Sequence, residues 1–524
     1  MLSKVITGAL SGLEAKLVMV ETDDRNGLPV LNMVGLASVT VREAGERIKS
    51  ALGNTGFTFP YKRVTINFSP AATRKEGSHF DLPIAIGILT STGQLQEKQT
   101  KDYAFIGELS LDGSVNRVKG ALPLVAGFKE NGIRKVVLPE ANLQEASIVK
   151  AIDLYPVRHL SEVIHLMDPE KSGSHRAPVT SQAPCKRTDC TRSSDKEILD
   201  DYSDVCGQEH LKRIMVICAA GFHGLLMIGS PGAGKSMLAK RLPTIMPEMN
   251  DREILETTQI YSIAGKLSDK MPVIEKRPFR SPYHTITPRA LVGGGKHPGP
   301  GEISLAHGGV LFLDELLEFS RSSLELLRQP MEDGSITIAR HGNAITFPSR
   351  CVLVAACNPC PCGYRGDPRH SCSCNEGQMA HYLSKLSGPF LDRVDLQTVA
   401  PVAGYDDLIG SQPGLPNPTC KSSGEMRREV EIAVSIQRER YQRDDVLFNS
   451  ELPPKLIWKY CKPNRPGEEL MKEAFEKMAL STRGYHKTLK VARTIADLAQ
   501  SSQITEVHLA EALQYRRMEG GIER

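Results

Sequence analysis

No apolar run in this 524-residue chain approaches the length of a bilayer span, and the opening Met1-Leu-Ser-Lys-Val-Ile lacks the long apolar core of a secretory signal. The cytoplasm is therefore the expected compartment, with no membrane partner. A surplus of one charge is missing too: 65 Lys and Arg against 61 Asp and Glu leave a net +4. That is too slight to mark a nucleic-acid binder, so any contact with DNA must rest on local patches. The 12 cysteines are scattered or set in close pairs, which favours thiols or metal ligands over a disulfide framework. No internal repeat is apparent. What is present is an ordinary globular composition, 40% hydrophobic and 24% charged, on a chain too long for one core. Its length suggests about three domains.

Residues 168–204 are rich in Ser, Thr, Pro and charge with few large apolar groups, and they cannot bury enough surface to offset chain entropy. They are expected to be a flexible linker. Residues 1–167 before it form an expected N-terminal domain, with strand alternation at 63–68 and a helical run at 81–89. Residues 205–401 are expected to form a nucleotide-binding domain. Residues 402–524 are expected to be helical, since apolar residues recur at three and four in 425–440 and 487–500. The expected fold class is α/β.

The segment Gly229-Ser230-Pro231-Gly232-Ala233-Gly234-Lys235-Ser236 follows the apolar run 225–228 and leads into a helical pattern. Strand, glycine-rich loop and helix in that order make a phosphate cradle. Backbone amides would wrap the phosphates, Lys235 would reach the β and γ groups, and Ser236 would hold Mg2+ at the helix N-terminus. Farther on, Gly309-Gly-Val-Leu-Phe-Leu-Asp314-Glu315 is a buried strand ending in two carboxylates. Asp314 suits the metal, and Glu315 is placed to polarise the attacking water. ATP and Mg2+ are thus the expected cofactors. Asn358 ends another apolar strand, 351–357, where it would orient the lytic water; the alternative is a turn residue before Pro359. Arg393 follows a helix breaker and suits a finger reaching a neighbouring subunit's phosphates, the alternative being a pair with Asp392 or Asp395.

Together with Gln208, these motifs resemble those of an AAA+ ATPase of the magnesium-chelatase-like branch. Over residues 1 to 524 apart from the linker, the chain more closely resembles the YifB/ComM family. The strings that carry this are Arg280-Ser-Pro-Tyr-His284, Leu291-Val-Gly-Gly-Gly295, Pro300-Gly-Glu-Ile-Ser-Leu-Ala-His307, Asn358-Pro-Cys-Pro-Cys-Gly363 and Val491-Ala-Arg-Thr-Ile-Ala-Asp497. The resemblance implies a homohexameric helicase-like motor that drives branch migration of DNA during natural transformation. Single-stranded, duplex or branched DNA would be its partner. It also implies a C-terminal helical lid on which Arg493 is the second sensor of the γ-phosphate, with Arg483 the less favoured candidate. The N-terminal strings Lys75-Glu-Gly77, Ala104 to Gly113 and Gly132 to Pro139 resemble the Lon proteolytic domain, an α+β fold of the S5 domain 2-like kind. That family pairs a serine nucleophile with a lysine. Here the nucleophile's place falls at about Asp81 and the lysine's at Leu122 or Pro123, while Ser78 and Lys119 are nearby without fitting. A Lon-like domain without peptidase activity is expected, as a scaffold for ring assembly or a docking face.

Two elements are candidates for DNA contact. Residues 270–300 hold Lys270, Lys276, Arg277, Arg280, Arg289 and Lys296 against Glu275, and end in a Gly- and Pro-rich basic loop. Inside a ring pore, Lys296 and His297 would track a phosphate backbone without reading bases. Period-two alternation over 334–347 predicts a hairpin with Arg340 and His341 at its tip. For both, the alternative is a solvated surface loop. Four thiols, Cys360, Cys362, Cys372 and Cys374, suit tetrahedral Zn2+ that would stiffen a loop with almost no core. Their C-x-C spacing is tighter than the usual two-residue gap, His370 is a substitute ligand, and the alternative is reduced cysteines without metal. Cys185 and Cys190 in the linker have no expected role. Two rival functions remain: a chelatase-like motor driving metal insertion or protein remodelling, and an ATP-dependent protease.

Overall fold

The computed structural model describes residues 2–167, 178–180, 200–205, 207–295, 298–340, 343–402 and 421–516. The chain divides into two compact units. One comprises Met1–Ser194, Asp251–Glu275 and Ile338–Phe347; the other comprises Asp195–Asn250, Lys276–Thr337 and Pro348–Arg524.

The first unit is built on an eight-stranded mixed sheet. Its order is Val179–Thr180, Asp153–Val157, Lys135–Pro139, Tyr103–Phe105, Leu2–Ser11, Glu14–Arg25, Arg63–Ser69, Val30–Val34. Side chains of a strand alternate between faces, and each face here is covered. Val5 and Ala9 join a core with the helices Val39–Asn54 and Asp81–Ser91, every residue of the latter being buried. Ile6 and Leu10 face a second core against the helix Ala121–Glu130. The strand expected at 63–68 and the helix expected at 81–89 are both present. The helix Asp251–Ala264, which lies within the stretch expected to bind nucleotide, packs in this unit. Leu255 adds to the second core, and Ser262 donates through Oγ to Glu145 Oε2 at 2.5 Å and accepts at its carbonyl from Gly120 N at 3.1 Å.

The second unit has five parallel strands in the order Phe279–Arg280, Val310–Leu313, Val352–Cys357, Leu225–Ile228, Leu396–Val399. Three of these, Val310–Leu313, Val352–Cys357 and Leu225–Ile228, are apolar runs buried throughout, as expected of a parallel sheet covered on both faces, and Leu396–Val399 is buried except at its last residue. The first strand in sequence sits between the fourth and fifth, so its neighbours run out on opposite sides and a crevice opens at the carboxyl ends. Helices Ser423–Arg440 and Thr482–Leu498 share one core with this sheet, where apolar periodicity predicts helices. Serines cap both, Ser422 in a reciprocal box with Glu425 and Ser481 by accepting from Gly484 N. No described helix is long and apolar enough to cross a membrane.

Most of the expected linker lies outside the described residues, but two of its described pieces take part in structure. Val179–Thr180 pairs antiparallel with Asp153–Val157. Tyr202 is fully buried in the second unit and donates through its hydroxyl to the Leu238 carbonyl at 2.8 Å. Ile198, Leu199 and Tyr202, large apolar groups at the end of an otherwise polar stretch, are the sequence signs that the linker stops before 204.

Candidate active site

The phosphate-loop strand Leu225–Ile228 delivers residues 229–234 to the crevice, and the helix Lys235–Ile245 starts directly after them. Gly229 has no alternative, because a Cβ there would lie 2.4 Å from the Ala400 carbonyl oxygen. Gly232 and Gly234 take φ of +80° and +76°, a left-handed backbone that residues with a Cβ rarely adopt, and the space beside Gly232 is open. Gln208 braces the loop by donating to the Ala233 carbonyl at 2.8 Å. The Lys235 ammonium lies within the cradle, donating to the carbonyls of Gly229 and of Ser230 at 3.1 Å, and to Asn358 Oδ1 at 3.4 Å. Burial lowers its pKa by stripping water from the charged form, a loss that the nearby Asp314 carboxylate offsets only in part.

The acidic strand Val310–Leu313 ends beside this loop. Ser236 Oγ donates to Asp314 Oδ2 at 2.6 Å, so a hydroxyl and a carboxylate from different elements converge where a hard cation takes oxygen ligands. Asp314 Oδ1 in turn accepts from Glu315 N at 3.0 Å. Glu315 has φ of +50°, unusual for a residue with a Cβ, and its carboxylate is turned into the open with Oε2 3.4 Å from His284 Nδ1. The motif string Arg280 to His284 contains this histidine, yet nothing in the spacing indicates that it meets Glu315. Asn358 follows the strand Val352–Cys357, whose Cys357 carbonyl accepts from Gly229 N at 3.2 Å. The expected nucleotide, metal, base and water-orienting residues are thus gathered at one end of one sheet.

The arginines sort differently. Arg393 donates to the Pro389 carbonyl at 2.6 Å and places Nε 3.1 Å from Glu332 Oε1, rather than pairing with Asp392 or Asp395. Asp395 is taken by Lys487 at 2.7 Å. Glu332 also meets Arg483, at 2.8 Å. Sequence reasoning missed Glu332 altogether. Arg493, the favoured second sensor, is only 2% exposed, with its guanidinium bound to Asp497 at 3.1 Å and to the carbonyls of Ser502 at 3.0 Å and Ser501 at 2.5 Å. It holds the end of its own helix, each of its three nitrogens already bonded within the chain.

In the first unit, Asp81 is buried and takes a two-point bond from Arg47, at 2.9 and 3.0 Å, plus Leu109 N at 3.3 Å. Leu122 and Pro123 are buried apolar residues at the start of their helix. The places that the Lon resemblance assigns to nucleophile and base therefore hold a structural ion pair and core. Of the DNA-contact candidates, Lys296, His297 and His341 lie outside the described residues, and Arg340 ends the strand Ser335–Arg340 of the expected hairpin. Gly293–Gly294 and Gly299–Pro300 form a short antiparallel ladder flanking Lys296 and His297. Arg277 and Arg280 leave the basic patch: Arg277 is buried over Phe222 and Phe448 and donates to the Gly308 carbonyl at 2.6 Å, and Arg280 makes a two-point pair with Glu302 at 2.6 and 2.8 Å.

The four cysteines do converge. One ligand atom from each of Cys360, Cys362, Cys372 and Cys374 lies within 4.8 Å of the others, close enough to hold one metal ion. Backbone N–H groups of Tyr364 and Ser373 draw the Cys362 thiol down to about 5. His370 stands outside the cluster, its ring against Tyr364 and its Nδ1 3.8 Å from Asp367.

Residues 201–408 match the family described as magnesium chelatase, subunit ChlI; residues 20–142 match subunit ChlI of Mg-chelatase, and residues 420–516 the C-terminal part of the same subunit. The chain is 41% identical to the competence protein ComM of Haemophilus influenzae, over 99% of this chain and 98% of that protein. It is 40% identical to the YifB protein of Escherichia coli, over 99% and 97%. A magnesium-chelatase 38 kDa subunit of Cereibacter sphaeroides is 28% identical over 30% of this chain and 52% of its own.

Proposed function

The chain belongs to the YifB/ComM family of magnesium-chelatase-like AAA+ proteins, and from that premise we propose that it is an ATP hydrolase working as a homohexameric ring motor on DNA in the cytoplasm. The observation that carries the reading is the convergence of Lys235, the Ser236–Asp314 pair, Glu315 and Asn358 at the carboxyl ends of adjacent strands. Lys235 and the loop amides bind the triphosphate; Ser236 and Asp314 hold Mg2+. When bound, that ion neutralises charge on the phosphate oxygens. Glu315 takes the proton of the attacking water and Asn358 orients it. Arg393, whose partners here are Glu332 and Pro389, would complete the site of a neighbouring protomer. Of the two lid arginines, Arg483 is the better second sensor, since its side chain is 55% exposed while Arg493 is spent internally. ATP and Mg2+ are the cofactors of this reading, and Zn2+ at the four thiols is a structural addition.

DNA as substrate rests on the likeness to a competence protein and on the basic residues Lys296, His297, Arg340 and His341 of the sequence. The test is ATP turnover with single-stranded, duplex and four-way-junction DNA, with Lys235→Ala as control. Turnover should rise several-fold with at least one DNA form and vanish in the variant. Turnover indifferent to every DNA form would instead favour a chelatase-like remodelling motor, the second reading that the matched family descriptions support.

A further inference from the structure

Between Asn358 and Asn375 the chain has no helix or strand, and only Cys360, Gly363 and Asp367 are buried. Such a segment has almost nothing of its own to hold it in one shape. Within it, the sulfurs of Cys360 and Cys362 are 3.4 Å apart, those of Cys360 and Cys372 3.7 Å, and those of Cys362 and Cys372 3.6 Å, while Cys362 N donates to Cys374 Sγ at 3.4 Å. Disulfides would need sulfur separations of about 2 Å. Four sulfurs around one zinc at the usual bond length would stand about 3.8 Å apart. The three distances among Cys360, Cys362 and Cys372 match one face of such a tetrahedron, and the Cys374 sulfur lies within 4.8 Å of all three, too tight to surround a polynuclear iron–sulfur cluster; hydrogen bonds from the backbone to sulfur are the supporting shell that a thiolate site uses.

The position of this tetrahedron is as informative as its shape. Gly363, next to the ligand Cys362, has φ of +87°, and its open side faces the phosphate loop: a Cβ there would lie 2.8 Å from Pro231 Cδ and 2.9 Å from Cγ. Two residues before the ligand Cys360 stands Asn358, whose Oδ1 accepts from Lys235. One residue after Cys374, Asn375 caps the helix Glu376–Leu383 through a reciprocal pair with Gln378, at 2.8 and 3.1 Å. The four thiols thus tie together the end of a sheet strand, the outer wall of the phosphate loop and the start of a helix.

We propose that Cys360, Cys362, Cys372 and Cys374 bind one zinc ion whose function is to clamp the Gly363 turn against Pro231 and fix Asn358, so that zinc and nucleotide bind with positive coupling. The proposal takes the assignment of ATP to the phosphate loop from the functional reading and adds a second ligand that tunes it. Coupling of this kind is reciprocal: the factor by which zinc tightens nucleotide is the factor by which nucleotide tightens zinc.

The test uses the full chain, purified without chelator or added metal. Elemental analysis should find about one zinc per chain, falling to near none in a Cys372→Ser/Cys374→Ser variant. Loss of zinc should weaken binding of a fluorescent ATP analogue by about ten-fold or more. The same coupling is readable on intact protein, which avoids reliance on a variant that fails to fold: Mg-ATP should slow zinc transfer to a chromophoric chelator, and should not do so in Lys235→Ala. Iron in place of zinc, or no metal at all, would overturn the metal assignment. Zinc present at full occupancy, with chelator transfer indifferent to saturating nucleotide in protein that binds it, would overturn the clamp. Failure of the wild-type chain to bind ATP would point instead at the phosphate-loop reading, since the zinc count does not depend on it.

Discussion

Glu315 is held in a strained left-handed conformation, with its carboxylate turned into the open toward His284 rather than folded onto the Ser236–Asp314 pair. A base that acts on water and leaves the metal to its neighbour should be separable from binding. We expect Glu315→Gln to bind an ATP analogue as the parent does while turnover falls by about 10²-fold or more; loss of binding to the same extent would place Glu315 at the metal instead. His284→Ala should lower turnover less and leave binding alone. The two lid arginines give a second contrast. Because Arg493 bonds to Asp497, Ser501 and Ser502, Arg493→Ala should lower the melting temperature, whereas Arg483→Ala should leave it unchanged and lower ATP turnover. The reverse pattern would return the sensor role to Arg493. The motifs made Lys235, Ser236, Asp314 and Glu315 legible, because each pair sits in a short string, the glycine-rich loop or the apolar strand ending in two carboxylates, that is recognisable by itself. The arginines were not legible, because a helix shows its faces in sequence without saying which face meets the bundle.

Asp395 shows how the elements of the second unit are joined. It stands just before the strand Leu396–Val399, accepts from Gly224 N at 2.8 Å at the foot of the phosphate-loop strand, and pairs with Lys487 of the helix Thr482–Leu498 at 2.7 Å. Burial pushes its pKa up, but Lys487 and His223 outweigh that and hold it far below the ordinary carboxylate value. A carboxylate depressed by folding contributes stability that is complete above its unfolded pKa and is lost as pH falls toward the folded value. Acid should therefore weaken the hold of the sheet on the lid helix progressively as pH falls below about 4. Asp395→Asn should cost about 3 kcal/mol near neutrality by leaving Lys487 without its partner, and should flatten the acid limb of the stability curve. Denaturant unfolding of both proteins across that pH range decides it, and parallel curves would show that the pair is not what couples strand and helix. The strands and helices themselves were readable from apolar runs and caps. The membership of Asp251–Ala264 was not, because its contacts with residues 120 and 145 join segments more than a hundred positions apart, and no local pattern encodes them.

At the level of the assembled protein, the decisive question is where Arg393 acts. Its partners within the chain are Glu332 and the Pro389 carbonyl, and none of the phosphate-site residues is among them. If it completes a neighbour's site, Lys235→Ala and Arg393→Ala each abolish turnover for different reasons: one removes the cradle of its own protomer, the other the finger offered next door. Mixed before assembly, the two inactive proteins should regain activity. A protomer with an intact cradle would then sometimes lie beside one with an intact finger. With equal amounts and random placement in a ring, about a quarter of the interfaces combine both, so recovery up to about a quarter of the parental rate is expected. Recovery should require nucleotide-dependent assembly, seen as a parallel shift in size on gel filtration. A mixture as inactive as its components, though assembled, would mean that Arg393 serves its own protomer or none. The arrangement of carboxylates and hydroxyls around Lys235 would stand in either case, because it depends on contacts inside one chain; only the ring as the unit of catalysis would fall.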